Sequence, residues 1–218
     1  MAKETRLTAK GLATRQRIVD AAAALMLDRG VARTTTEDVQ DAAKVSASQL
    51  YHYFGDKNEL VMAVIDRQAD VVLGVQHQGL DRLDSFEALV AWRDLIVGML
   101  RESDCAGGCP LGSLASDLAE TDPVARARLA NSFTQWEGLL RSGLAAMCAR
   151  GELRTDVDTD ALALAMLASV QGGLLLSQVR RTSKPLEVAV DTSIAYLRTL
   201  TDQPATSPDH GTSSYLGS

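Results

Sequence analysis

Apolar residues recur at three- and four-residue intervals through most of this chain, and no segment alternates apolar and polar positions long enough to form a strand. The pattern predicts helices throughout. Ile18, Ala22, Leu25 and Met26 share one face of a first helix over residues 14–29, which Gly30 closes. Residues 1–12 are polar and read as a mobile arm. Thr35 or Thr36 caps a short second helix, Glu37 and Asp38 suit its positive end, and Val39, Ala42 and Ala43 form its apolar side. Lys44 and Val45 make a tight turn, one that favours a positive φ. Ser46 caps a third helix over residues 47–53; Leu50 points inward, as does Phe54 just beyond it. Gly55 ends that helix, and Asp56 caps a fourth over residues 57–77, with Leu60, Val64, Val71 and Val72 inward. Residues 76–84 read as a connector.

The second part of the chain continues in the same way. Helices are predicted over residues 85–102, 111–120, 123–150, 159–181 and 184–200, with a small-residue loop at 103–112. Asp122-Pro123 at the start and Gly151 after the end mark the longest, since proline suits a first helical position and glycine a residue past the last. Residues 202–218, rich in Ser, Thr, Pro and Gly, read as a disordered tail. The fold class expected is all-α: a small domain of three helices over residues 1–60, then a helical domain over residues 61–201.

Composition sharpens this picture. Aromatics make up only 4% of the 218 residues, and alanine and leucine are abundant, which favours helices. The stretch 161–176 is apolar but holds Ser169, Gln171, Gly172 and Gly173, so it reads as a buried helix and no membrane segment is expected. No charged, apolar and cleavage pattern opens the chain, and three cysteines without a paired framework fit a reducing cytoplasm. The net charge of −6 is unevenly spread: residues 1–60 hold nine Lys and Arg against eight Asp and Glu, so the acidity belongs to the second part. A local basic face, rather than the total, governs contact with nucleic acid.

A short helix that presents hydrogen-bonding side chains, propped by another short helix, is the design of a helix-turn-helix DNA reader. Here the spacing resembles one family closely. Thr36, Val39, Ala42-Ala43, Val45-Ser46, Leu50-Tyr51-His52-Tyr53-Phe54 and Lys57 follow the pattern of the tetracycline-repressor (TetR) family of bacterial transcription factors, and the likeness extends back to Arg15-Gln16-Arg17-Ile18. Lys44 stands where that family usually has glycine. On this reading Ala47, Ser48, Gln49 and His52 reach base edges in the major groove, where glutamine can pair with adenine through both amide atoms. Thr36, Ser46, Tyr51, Tyr53 and Lys57 hold phosphates, which fix register. The arm residues Lys3, Arg6 and Lys10 either enter a minor groove or have no role.

The resemblance implies a ligand-responsive regulator, more often a repressor, that binds an inverted-repeat operator in double-stranded DNA as a homodimer. It implies pairing through the last two helices; Leu162, Met166, Val170, Gly173, Leu174, Val190, Ile194 and Leu197 are the candidates. It also implies an apolar cavity for a small hydrophobic effector. Candidate lining residues are Trp92, Ile96, Met99, Cys109, Leu114, Leu118, Phe133, Trp136, Leu140, Met166, Gln171 and Leu175, with ordinary core packing as the alternative for each.

Cys109, ahead of Pro110, would stand at a helix start, where the dipole lowers a thiol's pKa. The run GCPLGSLASDLAE resembles a sub-group of the family, some of which sense electrophiles or oxidants. The rival reading is therefore a thiol sensor acting through Cys109, and the plain alternative is a small buried thiol. Catalytic signatures are lacking, so no enzyme and no cofactor is expected; a helical carrier with a vestigial reader is a third possibility. With His52, His77 and His210 scattered, no metal site is expected.

Overall fold

The computed structural model describes residues 8–201. Within them the chain folds into nine helices: α1 (Ala9–Arg29), α2 (Thr36–Ala43), α3 (Ala47–Tyr53), α4 (Lys57–Leu80), α5 (Phe86–Glu102), α6 (Pro110–Leu118), α7 (Pro123–Ala149), α8 (Thr159–Arg180) and α9 (Lys184–Arg198). Lys3, Arg6 and the 202–218 tail lie outside the described residues.

Caps set most boundaries. The Thr8 hydroxyl accepts the Gly11 N–H, so α1 starts at Ala9 and Lys10 is helical, five residues earlier than the apolar spacing suggested. Helix α4 also outruns its expected end. Gln76 and Leu80 are buried within it, so residues 76–80 are helix and not connector. The Gln76 carbonyl Oε1 accepts the indole N–H of Trp92 at 2.9 Å inside the core. Ala42, expected on the inner side of α2, is exposed; Val39 and Ala43 alone carry that contact.

Helices α1 to α3 form a small head around Ile18, Ala22, Val39, Leu50 and Phe54. The long α4 packs on α1 at one end and on α5 and α7 at the other. Helices α8 and α9 pack on each other, with α5 laid across α9 and α7 against α8. Arg93 of α5 grips Asp191 of α9 through two bonds of 2.8 and 2.9 Å, and Arg101 reaches Glu187 at 2.7 Å.

The α8–α9 pair is joined within the protomer in two ways. A Cβ added at Gly173 would stand 2.8 Å from the Leu186 Cα, so only glycine lets these backbones approach. The buried Ser177 hydroxyl of α8 accepts the Leu186 N–H at 3.2 Å, satisfying a first-turn donor that Ser183 leaves without a side-chain bond. Met166, Val170, Gly173, Val190, Ile194 and Leu197 are buried within the protomer, and Leu162 and Leu174 are half-buried. The surface they were expected to offer to another protomer instead faces their own helices. Nor is α8 buried all round: Leu164, Ala165, Ala168, Leu175, Leu176 and Val179 are exposed. By length and composition α8 could cross a membrane, but a third of its apolar window is buried in the fold.

Gly173→Val should lower unfolding stability by about 2–3 kcal/mol, because the obstructing atom is backbone and cannot turn away. Gly98→Ala, where an added Cβ meets nothing within 4 Å, should raise it by roughly 0.5–1 kcal/mol. Guanidinium unfolding of both variants checks the pair.

Candidate nucleic-acid interface and effector cavity

The head is built from reciprocal caps. The Thr35 hydroxyl accepts the Asp38 N–H while the Asp38 carboxylate accepts the Thr35 N–H at 2.9 Å, and Arg29 lies 2.6 Å from the same carboxylate. The Thr35 backbone bond, then its hydroxyl and Arg29, hold the Asp38 carboxyl down to about 2. Lys44 closes α2 in the left-handed region, φ 53° and ψ 52°, and the Val45 N–H returns to the Gln40 carbonyl. The turn thus keeps the geometry that glycine would supply, at a cost for a lysine of roughly 1–2 kcal/mol. Arg17 donates to the Ala43 carbonyl at 2.9 Å and secures the end of α2.

This frame leaves Ser46, Ala47, Ser48, Gln49, Tyr51 and His52 exposed, with Leu50 and Phe54 buried behind them. Tyr51 is 50% exposed, and its hydroxyl lies 3.5 Å from the Thr36 hydroxyl. Tyr53 is half-buried, edge-on to His52. Two expectations change. The Gln49 carbonyl accepts the Ser46 N–H at 3.0 Å as part of a capping box, so in this conformation only its NH₂ is free and adenine cannot be paired through both amide atoms. The Lys57 ammonium does not face outward: it donates to the Val31 carbonyl at 2.9 Å.

Val31 is held from its other side too. Its N–H donates to the Asp117 carboxylate on α6 at 2.9 Å, and a Cβ added at Gly30, which has φ +88°, would meet the same oxygen at 3.2 Å. One peptide segment after α1 is therefore bound by α4 and by α6. Asp117 thereby joins the head to the rest of the fold.

Helix α6 starts at the wall of an open-mouthed apolar cavity of about 360 Å³, lined by α1, α4, α5, the 103–110 loop, α7 and α8. Ile96, Met99, Cys109 and Trp136 line it as expected from helical phase. Leu27, Val71 and Met99 stand partly exposed at 36, 40 and 43%, so they read as its mouth. Trp92, Leu114, Leu140 and Met166 are closed core, Leu118 belongs to a surface cleft beside Val31, and Phe133 is half-buried elsewhere. Gln171 and Leu175 line a second, more polar recess with Ser113, Ser116 and Gln178, and Cys109 is shared by both. Val170 and Leu174, assigned to pairing, line the apolar cavity instead. Val71, Val72, Val75 and Gln76, adjacent on α4, were the signal for the missed wall.

Cys109 caps α6 weakly through the Gly112 N–H at 3.5 Å. The dipole does not prevail there: burial pushes its thiol above the usual range. Among the described residues no cluster of three or more His, Cys, Asp or Glu is placed to hold a metal ion.

Residues 18–64 match the family described as bacterial regulatory proteins, tetR family, and residues 79–193 match the tetracyclin repressor-like C-terminal domain. The chain belongs to the TetR family. It is a helix-turn-helix, DNA-binding transcriptional regulator. This TetR-family chain is similar to the transcriptional regulator TtgR of Pseudomonas putida, 29% identical over 197 residues that span 85% of this chain and 91% of that one. It is similar to the transcriptional repressor DhaR of Mycobacterium sp., 24% identical over 181 residues, covering 79% and 86%. A TetR transcriptional regulator of Chloroflexus aurantiacus superposes with a TM-score of 0.78 at 29% identity, over 89% of this chain and 98% of that one.

Removing the α6 contact should free the Val31 amide. Asp117→Ala is expected to speed its hydrogen exchange roughly five- to tenfold, the size of one bond, with α7 and α8 amides unchanged. Unaltered exchange at Val31 would show that Asp117 does not hold this segment in solution.

Proposed function

We propose that this regulator is a homodimeric repressor: residues 1–60 read an inverted-repeat operator, and residues 61–201 pair the protomers and take up a small hydrophobic effector that releases DNA. The observation that carries this reading is the outer row of α3. Ser48, Gln49, Tyr51 and His52 are exposed polar groups on a helix whose inner side is fully used by Leu50 and Phe54. Ala47, Ser48, His52 and the free NH₂ of Gln49 are the base readers, and Thr36, Ser46, Tyr51 and Tyr53 hold phosphates. Lys57 acts indirectly, by fixing the start of α4 against Val31.

For pairing, the supporting feature is the outer stripe of α8. Leu164, Ala168, Leu175 and Val179 recur at four- and seven-residue spacing, all exposed, with Val188 and Tyr196 of α9 alongside. Such a seam suits a second copy, which would complete a four-helix bundle and set the two heads roughly 34 Å apart, one turn of DNA. For release, an effector in the cavity would press on α4 and on the start of α6, the two helices that hold Val31. It shifts the equilibrium only so far as it prefers the spread arrangement of heads. DhaR's description as a repressor favours repression over activation. The thiol-sensor reading finds no support in a buried Cys109 whose pKa is raised.

Anisotropy titration on DNA upstream of its own gene, at several salt concentrations, tests the reader. Tyr51→Ala should weaken binding to all sequences by roughly three- to tenfold, as loss of a phosphate contact does. A change in sequence preference would instead make Tyr51 a base reader, and no salt-dependent binding to any DNA would defeat the proposal.

The pairing face has its own check. Leu164→Glu with Val179→Glu should sediment as a folded monomer and lose operator affinity by at least tenfold, while Met166 and Val190 stay packed inside. A dimer that survives both changes would place the interface elsewhere.

A further inference from the structure

The cavity is apolar, yet two of the residues that line it, Gln76 and Trp136, carry donors without an acceptor. Gln76 is 4% exposed and Trp136 2%, and both line the space. The indole N–H of Trp92 can only donate, so Gln76 must present Oε1 to it, and the amide is thereby oriented. That leaves the Gln76 NH₂ as a donor with no partner among the described residues. The Trp136 Nε1 likewise has none. A buried N–H without an acceptor costs about 1–3 kcal/mol. The Ser103 hydroxyl gives its proton to the Leu100 carbonyl at 2.9 Å and so adds no third donor to the wall.

What is absent from the wall matters equally. None of the lining residues is charged, and the Ser103 Oγ, its proton given to Leu100, is the one hydroxyl acceptor on the wall. An amine or other cation would lose most of its hydration with no carboxylate to balance its charge. A carboxylate would meet donors but no positive charge, in a space whose apolar walls penalise ions heavily. A pure hydrocarbon would fit the walls and leave both N–H groups unsatisfied. The volume of about 360 Å³ lies at the small end of the range of ligand pockets.

We infer that the effector is an uncharged, largely apolar carbonyl compound whose oxygen accepts from Trp136 Nε1, from the Gln76 NH₂, or from both. This rests on the cavity being the effector site, and the test separates the two claims. Calorimetric titration of the full chain compares three probes of equal heavy-atom count: 2-acetylnaphthalene, 2-isopropylnaphthalene and 2-naphthoate. The ketone should bind roughly five- to tenfold tighter than the hydrocarbon, the worth of one buried hydrogen bond, and the anion weakest. In Trp136→Phe or Gln76→Met, whichever removes the donor used, that advantage should collapse while hydrocarbon affinity stays within about threefold. Equal binding of ketone and hydrocarbon, or an advantage that survives both substitutions, overturns the carbonyl assignment and leaves the cavity as a hydrophobic effector site. Tightest binding by naphthoate overturns it in favour of an anion. If none of the three binds, the cavity is not the effector site and the inference falls with it.

Discussion

The short segment after α1 is the point on which the molecule's two halves depend. Val31 is buried at 7% exposure, its N–H given to Asp117 of α6 and its carbonyl taken by Lys57 at the start of α4. A reading head of about fifty residues has little core of its own, and a domain that small is marginal when left alone. It gains rigidity by sharing α4 with the larger body and by this two-sided grip on one peptide unit. Because both anchors sit on helices that also border the cavity or lead from it, the head cannot be moved by α4 alone; α6 must move with it or let go.

The cavity explains why those helices and not others carry the link. Its walls are drawn from α4, α5, α7 and α8, and its rim is the loop that becomes α6. Cys109 and Pro110 are at once lining residues and the first turn of the helix that ends near Asp117. A rigid strut of about two helical turns, from Pro110 to Asp117, separates occupancy from the grip on Val31. Trp92 stands behind this arrangement: by orienting Gln76 it turns a core contact into a defined donor.

Much of this was legible in the residues. Caps and glycines marked nearly every helix, since Thr35, Ser46, Asp56, Ser85, Asp122 and Asp158 each accept from first-turn N–H groups as their types require. The reader was legible because its signal is local: alternation of Leu50 and Phe54 with exposed polar groups needs no knowledge of distant partners. The cavity was only half legible. Helical phase says which residues face inward, and it found Ile96, Met99 and Trp136, but it cannot distinguish a wall from filled core, so Leu114 and Leu140 were grouped with them. Helices α8 and α9 each have two apolar faces, and phase alone assigned the wrong one to the outside. Gln76, Lys57 and Asp117 were missed as structural residues because each is polar and finds its partner 16 or more positions away.

The closeness of α8 and α9 within one protomer has a consequence for coexistence. Gly173 and Ser177 complete their union before any second chain arrives, so the outer stripe is free of duties inside the fold. Were copies to meet across that stripe, Leu164, Ala168, Leu175 and Val179 could drift in sequence without unsettling the interior. A cell with many regulators of this shape needs each to recognise its own kind and ignore its cousins. An address written only on the outside of one helix can be revised cheaply, and separate regulatory circuits can diverge from a common ancestor without cross-talk.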